Sequence, residues 1–259
     1  MLELNELPYP ELRKSRIVAV TFDLWNTLYV ADNRVMDPVR PRRRAAMCKL
    51  LASAGVRPSE EELQQTYRSS FEAYMAAWQS GRHYGAREQV LHFLEHFGID
   101  PTGVAPEAIA DTVKEIEDAS LLADLQLLPG VRETIPRLVE SGCRLGLISD
   151  TSLTPGRILR QYLAKDGLLE YFTALTFSDE TGYPKPDPRM FTATLEQLRA
   201  EPEQAAHVGD TPRTDIAGAK ALGMVAIRCA GAIDHPEPPP ADFVIHDHRE
   251  VLAILARLG

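Results

Sequence analysis

The first regular pattern in the chain is a short apolar run that ends at a carboxylate. Residues 17–22 are almost all apolar, with Ile17, Val18, Val20 and Phe22 among them, and Asp23 follows directly. A continuous apolar run of this length is typical of a strand buried on both faces of a parallel sheet. Ligands bind outside the carboxyl ends of such strands in open α/β sheets. The pattern therefore predicts that Asp23 lies where the chemistry takes place.

The block that follows, up to residue 123, changes to a helical pattern. Apolar residues recur there at three- and four-residue spacing, and breaks containing glycine or proline separate the segments. Ser59, with Glu62 three residues later, is typical of a capped helix start. The spacing predicts helices over 45–54, 60–79, 87–97 and 106–123 and no strand, which indicates a helical insertion.

From Pro129 onwards, short apolar runs alternate with helical segments. This alternation predicts right-handed crossovers and a parallel sheet with helices on both faces, an α/β doubly wound fold. The predicted strands are 144–148, 174–177, 205–208, 225–228 and 243–245, and the predicted helices are 131–141, 155–164, 189–199, 215–222 and 249–258.

Composition narrows the class of protein. A chain of 259 residues, 44% hydrophobic, suits one large domain or a core with a smaller domain. Its net charge of −9 makes nucleic acid and anionic membranes poor partners. The basic cluster at 40–44 is interpreted as a solvated helix start, with an anion-binding patch as the alternative. The three cysteines are widely spaced, which favours reduced thiols. Residues 1–15 do not have the apolar core of a leader, so we expect a cytoplasmic protein. No apolar run could span a bilayer, and the sequence leaves open a monomer or a homodimer.

Polar side chains follow four of the predicted strands. Several carboxylates, a lysine and a hydroxyl at one edge of a sheet would suit a Mg²⁺ ion and a phosphate group. These strand ends carry Asp23, then Ser149 and Asp150, then Asp179 with Lys185 beyond it, and then Asp210 with Asp215.

The order and surroundings of these residues resemble the haloacid dehalogenase superfamily of hydrolases, in the subfamily with a helical cap (subfamily I, C1 cap). The first motif matches at Asp23 and Thr27, and the second at Ser149 after LGLI. The third matches at Lys185 within SDETGYPKPDPRMF, and the fourth in HVGDTPRTDIAGAKALGM. The resemblance covers residues 16 to about 228. It implies a Rossmann-like core domain over 16–30 and 125–259 and an all-helical cap domain over 31–124.

The resemblance also implies roles for these residues. Asp23 would be the nucleophile that forms an aspartyl-phosphate on a small phosphorylated metabolite. Mg²⁺ would be held by Asp23, Asp210 and the backbone carbonyl of Trp25, with Asp215 orienting metal-bound water. Phosphoryl oxygens would be bound by Ser149 and Lys185, with Thr27 and Asp150 as further substrate- or phosphate-binding residues.

Trp25 departs from the family pattern. Most phosphatases of the superfamily carry a second aspartate there, and it protonates the leaving alcohol. A positioned acid–base group is worth about 10²–10⁴ in rate, and an indole cannot shuttle protons at neutral pH. One interpretation is a phosphatase that acts on a good leaving group (acyl, enol or aryl) or uses His83 or Asp150 instead. Another is a carbon–halogen hydrolase of 2-halo acids, since these lack the second aspartate, although they also lack the Gly209-Asp210 pair. The third is a catalytically weak protein that binds a phosphate ligand.

Three further features of the sequence bear on the site. Asp150 stands where the subfamily usually has asparagine, and a carboxylate there would repel phosphate unless it faces away. Trp78, His83, Tyr84 and Arg87 could form a substrate-facing surface of the cap or could be ordinary packing. Phosphonate cleavage would need a Schiff-base lysine, and the insertion offers only Lys49 and Lys114.

Overall fold

A six-stranded parallel sheet forms the centre of the molecule. The computed structural model describes residues 17–32 and 34–259, so the predicted core start at residue 16 and the interpretation of residues 1–15 lie outside the described residues. The strand order is β3-β2-β1-β4-β5-β6, and every neighbouring pair is parallel. The strands are β1 (Ala19–Phe22), β2 (Arg144–Ser149), β3 (Phe172–Phe177), β4 (Ala205–Gly209), β5 (Val225–Cys229) and β6 (Phe243–Ile245).

The first strand occupies the middle of this sheet. Its four residues are all buried, as its apolar sequence predicts. Phe22 pairs with Leu147 of β2 on one side and with Val208 of β4 on the other. The chain adds β2 and β3 on one side of β1 before it crosses to β4 on the other side. The strand order therefore reverses between β1 and β4. The crevice at the carboxyl ends of these two strands is where open α/β sheets bind ligands.

Helices cover both faces of the sheet. One face carries an apolar cluster that includes Ile135, Leu159 and Ile254, and the other carries a cluster that includes Phe191 and Ala219. The predicted doubly wound α/β fold is therefore confirmed. The helices of this part are α5 (Val131–Glu140), α6 (Gly156–Lys165), α7 (Ser178–Thr181), α8 (Pro188–Leu198), α9 (Ala217–Ala221) and α10 (Arg249–Leu258).

The segment between β1 and β2 is helical, as the sequence predicts. It contains α1 (Val39–Ser53), α2 (Glu60–Gln79), α3 (Ala86–His96) and α4 (Pro106–Asp118), and these enclose an apolar cluster of their own. The Ser59 hydroxyl accepts the Glu62 N–H and the Glu62 carboxylate accepts the Ser59 N–H, so the predicted capping box is confirmed. The division into a core domain and a cap domain stays a prediction, with which this separate cluster agrees. Within the described residues, no helix combines the length and apolarity needed to cross a membrane.

Candidate active site

A buried lysine joins carboxylates from two neighbouring strand ends. The Lys185 ammonium donates to Oδ1 of Asp23 at 2.5 Å and to Oδ1 of Asp215 at 2.6 Å. Asp210 completes the group, since one carboxylate oxygen from each of the three aspartates lies within 4.8 Å of the others. All four side chains are buried. The cluster lies at the reversal point between β1 and β4, as the sheet topology requires.

A tight turn after β1 orients Asp23 and Trp25. The Asp23 N–H still donates to the Val208 carbonyl of β4 at 2.8 Å, so the nucleophile candidate is held by the sheet. Asn26 has φ of 54°, in the left-handed region that asparagine tolerates better than most residues. Its N–H donates to the Tyr29 carbonyl at 2.7 Å and closes the turn. The Trp25 carbonyl oxygen accepts no hydrogen bond from any group in 17–32 or 34–259.

A π-helical turn after β4 places Asp215. The turn spans Pro212–Ile216, and the Asp215 carboxylate accepts the Thr211 N–H through Oδ2 at 3.0 Å. Gly209 makes room for this arrangement, because a Cβ there would lie 2.3 Å from the Asp215 Cγ. Turns of this kind are frequent at functional sites. The apolar spacing predicts an ordinary helix from 215 and does not indicate this turn.

His207 extends the cluster into the sheet. Its Nε2 lies 3.2 Å from Oδ1 of Asp215, and its Nδ1 lies 2.8 Å from the Thr21 hydroxyl. His207 is not among the site residues predicted from the sequence. The signal that could have found it is a polar residue in the otherwise apolar strand Ala205–Gly209, four strand positions of which are small or apolar. A buried polar side chain needs partners, and here it fixes the orientation of Asp215.

The cluster contains three carboxylates and one ammonium group, that of Lys185. Burial raises the pKa of Asp23 well above its usual value, and Asp215 and Asp210 add to this against the attraction of Lys185. Burial, with Asp215, raises the pKa of Asp210 to about 6. Burial also opposes ionisation of Asp215, but Lys185 and His207 outweigh it and hold the pKa of that carboxyl well below its usual range. The same carboxylates raise the pKa of Lys185 despite its burial, so it stays an ammonium.

Asp150 is turned towards the helical cap and the lysine loop. Its Oδ1 accepts the backbone N–H of Lys185 at 2.7 Å, and its Oδ2 accepts the indole N–H of Trp78 at 3.1 Å. Burial raises the pKa of this carboxyl. Asp150 therefore holds the main chain at Lys185 and ties α2 to the end of β2. This explains how a carboxylate is accommodated beside the cluster.

The predicted site residues divide into two groups. A cavity of about 200 Å³ brings six of them together with Tyr74 and Trp78 of α2. The lining of that cavity does not include Thr27 or Ser149, which are buried. The Ser149 hydroxyl donates to the Asp150 carbonyl at 3.3 Å, and the Thr27 hydroxyl has no partner within the described residues. The six that line the cavity are Asp23, Trp25, Asp150, Lys185, Asp210 and Asp215.

The four cap candidates do not form one surface. Trp78 lines the cavity around Asp23, whereas Tyr84 lines a larger neighbouring one. Arg87 lies in a separate groove against α4. His83 lines none of these cavities, and its Nδ1 lies 3.2 Å from the Ser178 hydroxyl. The geometry therefore does not favour His83 as a substitute proton donor.

Known proteins resemble this chain over most of its length. A model of the haloacid dehalogenase-like hydrolase family matches residues 17–223. A glyceraldehyde 3-phosphate phosphatase of Methanopyrus kandleri is 32% identical over 253 residues, which span 94% of this chain and 99% of that protein. A ribulose-1,5-bisphosphate 5-phosphatase of Halopiger xanaduensis is 29% identical over 218 residues, 81% of this chain and 83% of that protein.

One solved structure also resembles this chain over most of its length. The 2-haloacid dehalogenase from Pseudomonas syringae pv. tomato DC3000 superposes with a TM-score of 0.64 and 27% identity, covering 94% of this chain and 100% of its own. The family match, the doubly wound sheet and the aspartate–lysine cluster at its reversal point agree with one another. This chain belongs to the haloacid dehalogenase-like hydrolase family.

Proposed function

We propose that this hydrolase is a Mg²⁺-dependent phosphatase that acts on a small phosphorylated molecule through an aspartyl-phosphate at Asp23. The observation that carries the proposal is the convergence of Asp23, Asp210 and Asp215 around Lys185 in one buried cavity. The names of the two phosphatase relatives support the reaction class.

The residues present fit a divalent cation. Three buried carboxylates lie beside one ammonium, and burial, reinforced by the neighbouring carboxylates, raises the pKa values of Asp23 and Asp210. Mg²⁺ favours oxygen ligands, usually one or two carboxylates with waters and phosphate oxygens. Asp23, Asp210 and the unengaged carbonyl of Trp25 would hold it, and Asp215 would lie behind them. When bound, the ion would neutralise charge on the phosphoryl group and on the carboxylates.

The chain's own groups supply the rest of the mechanism. Lys185 holds Oδ1 of Asp23, and Oδ2 has no hydrogen-bond donor among the described residues, so Asp23 presents a free oxygen. That carboxylate attacks phosphorus, and the bond from phosphorus to the leaving oxygen breaks with its electron pair on that oxygen. Water then cleaves the aspartyl-phosphate to release inorganic phosphate and restore Asp23. Lys185 lowers the repulsion between Asp23 and an anionic substrate.

The test is hydrolysis of 4-nitrophenyl phosphate with and without EDTA, followed by addition of Mg²⁺. We expect EDTA to abolish turnover, Mg²⁺ to restore it, and Asp23→Asn to remove it. Asp124→Asn is a matched control, because that carboxylate is exposed and lies outside the cavity. Turnover that is indifferent to both EDTA and Asp23→Asn would overturn the proposal.

A second candidate is hydrolysis of the carbon–halogen bond in a 2-halo acid. Trp25 and the structural likeness to a 2-haloacid dehalogenase favour it, whereas the buried acidic cluster favours a metal-dependent reaction. Halide release from 2-chloropropionate that persists in EDTA would favour this candidate. Phosphonate cleavage gains no support, because Lys49 and Lys114 are exposed and paired with Glu115 and Asp118.

A further inference from the structure

A second cavity adjoins the catalytic one at the junction of the helical cap and the core. Its volume is about 490 Å³, and it shares Trp25, Tyr74 and Asp150 with the catalytic cavity. A group attached to a phosphate at Asp23 can therefore extend into it. Five aromatic side chains line this space, namely Trp25, Tyr67, Phe71, Tyr74 and Tyr84.

Part of the polar lining of this cavity is already engaged within the protein. The Tyr84 hydroxyl pairs with Ser70 at 3.1 Å, and the Gln89 amide donates to that same serine at 3.3 Å. These polar groups are occupied by one another. The edge of Tyr84 meets Tyr74 in a T-shaped pair at 6.2 Å, which leaves the aromatic faces as the main contact surface. Such a surface favours stacking with an aromatic ring.

Arg43 brings a positive charge to this cavity, and the carboxylate that also lines it, Asp150, already accepts the N–H groups of Trp78 and Lys185. Contrary to the expected solvated helix start, its guanidinium reaches inward and donates from Nε to the Ile116 carbonyl at 3.1 Å. Its Nη2 donates to neutral oxygens only, those of Ser120, Leu153 and Thr154, at 2.8 to 3.2 Å. Burial lowers the pKa of Arg43 to about 10.

The charge of Arg43 is not matched by an acid. Within 17–32 and 34–259 it forms no ion pair with a carboxylate, and its Nη1 donates to no protein group. Its neighbour Arg44 differs, because it is paired with Glu60 on the surface. A partly buried cation without an acidic partner favours an anionic ligand, since charge-assisted bonds are the stronger ones.

We infer that the substrate is an aryl phosphate whose ring lies in the aromatic cavity and carries a carboxylate that binds Nη1 of Arg43. This inference rests on the proposed phosphatase function and names its substrate class. It also agrees with Trp25, which cannot protonate a leaving group. A phenol has a pKa of about 10, as for tyrosine, far below that of an alkyl alcohol, so the electron pair of the breaking bond can remain on a phenolate oxygen. That phenolate takes its proton from water after it leaves.

The experiment compares phenyl phosphate with 4-carboxyphenyl phosphate. We expect the carboxylated ester to have the higher kcat/KM, mainly through a lower KM. Arg43→Met keeps much of the apolar stem and removes the charge, so it should raise KM for the carboxylated ester by about ten- to a hundredfold. KM for phenyl phosphate should change by no more than about twofold. Arg44→Met, one residue further on the same helix, should change neither.

A second variant and a binding measurement test the inference if Arg43→Met folds poorly. Arg43→Lys keeps a charge and should retain part of the preference for the carboxylated ester. In Asp23→Asn protein, which does not turn over, calorimetric binding of 4-hydroxybenzoate should be weakened by Arg43→Met and less so by Arg43→Lys.

The outcomes separate this inference from the proposed function. If phenyl phosphate is hydrolysed and Arg43→Met slows both esters equally, Arg43 has only a structural role and the inference is overturned. If neither ester is hydrolysed but 4-hydroxybenzoate binds through Arg43, the phosphatase function fails while the ligand class stands. Equal kinetics for both esters in the unchanged protein would also overturn the inference.

Discussion

The indole N–H of Trp78, on the second cap helix, donates a 3.1 Å hydrogen bond to Oδ2 of Asp150, at the end of a central strand. The other oxygen of Asp150 accepts the backbone N–H of Lys185. Because the Lys185 ammonium contacts Asp23, one short chain of contacts joins the cap to the nucleophile candidate. The position of the cap and the position of the lysine are therefore coupled through Asp150.

Trp78→Phe tests this coupling. The variant keeps an aromatic face under the Arg213 guanidinium, which lies 3.9 Å from the ring, but it removes the donor to Asp150. Without this donor Asp150 is no longer tied to α2 and holds the main chain at Lys185 less firmly, so we expect weaker inhibition by inorganic phosphate and a kcat/KM about tenfold lower. Steady-state kinetics with phosphate as inhibitor measure both. The exposed neighbour Gln79→Ala should leave them unchanged, and an unaltered phosphate constant in Trp78→Phe would contradict the coupling.

Gly209→Ala tests the placement of Asp215. A Cβ at this position would lie 2.3 Å from the Asp215 Cγ, so the carboxylate must leave Lys185 and His207. Displacement of this kind near the reacting groups can reduce the rate about 10²-fold, and we expect a loss of that size in kcat/KM. The measurement is phosphatase kinetics on protein shown to be folded by circular dichroism.

The matched control is Gly156→Ala, where the added Cβ would overlap the Phe177 ring instead. Overpacking there should lower the free energy of unfolding by about 1–3 kcal/mol, with kcat/KM of the folded protein nearly unchanged. Equal losses of kcat/KM in the two variants would show that general strain, not the position of Asp215, explains the first result.

Strand ends could be predicted from the sequence because they depend on local pattern. The apolar run before Asp23 specifies a buried strand, and parallel strands direct their carboxyl ends to one edge, so the meeting of Asp23 with Lys185 and Asp210 follows. The sequence predicts the start of a helix correctly where a capping signal exists, as at Ser59. The first cap helix begins at Val39 and not at 45, because its arginine-rich first turns carry no apolar periodicity.

Pairings between distant residues could not be predicted in the same way. Trp78 and Asp150, Arg43 and Leu153, and His207 and Thr21 each meet only because the cap folds back onto the core or because two strands adopt one register. Single residues of these types are compatible with a surface, a core or a site. Only the packed structure shows that the arginine faces a cavity and that the histidine supports a carboxylate.

His248 makes stability depend on pH. It is buried, its Nε2 has no partner within the described residues, and burial lowers its pKa to about 4 from the usual value of 6.5. Between these values the unfolded chain binds a proton that the folded protein does not, so stability falls as pH decreases from about 6.5 to 4. The expected loss is about 3 kcal/mol, at 1.36 kcal/mol for each pKa unit.

The measurement is urea unfolding at pH 7 and pH 4.5 for the unchanged protein and for His248→Phe. The ring of His248 stacks near Phe22, with centroids 6.2 Å apart, so phenylalanine suits the site. The variant should lose less stability on acidification, while contributions from the buried aspartates cancel in the comparison. Identical losses in both proteins would refute a role for His248.

Trp25→Asp tests whether the missing proton donor determines the choice of leaving group. Trp25 lines both cavities and packs against the main apolar cluster, so its replacement opens space and places a carboxyl two residues after Asp23. If that carboxyl protonates the leaving oxygen, turnover of an alkyl phosphate should gain about 10² relative to an aryl phosphate, because only the alkyl alcohol needs the proton. The ratio of kcat/KM for glycerol phosphate to that for phenyl phosphate measures this, and it is insensitive to partial loss of folded protein.

Trp25→Phe, which opens space without adding an acid, should leave the ratio unchanged. A ratio that rises equally in both variants would mean that the indole limits access for alkyl esters by its size.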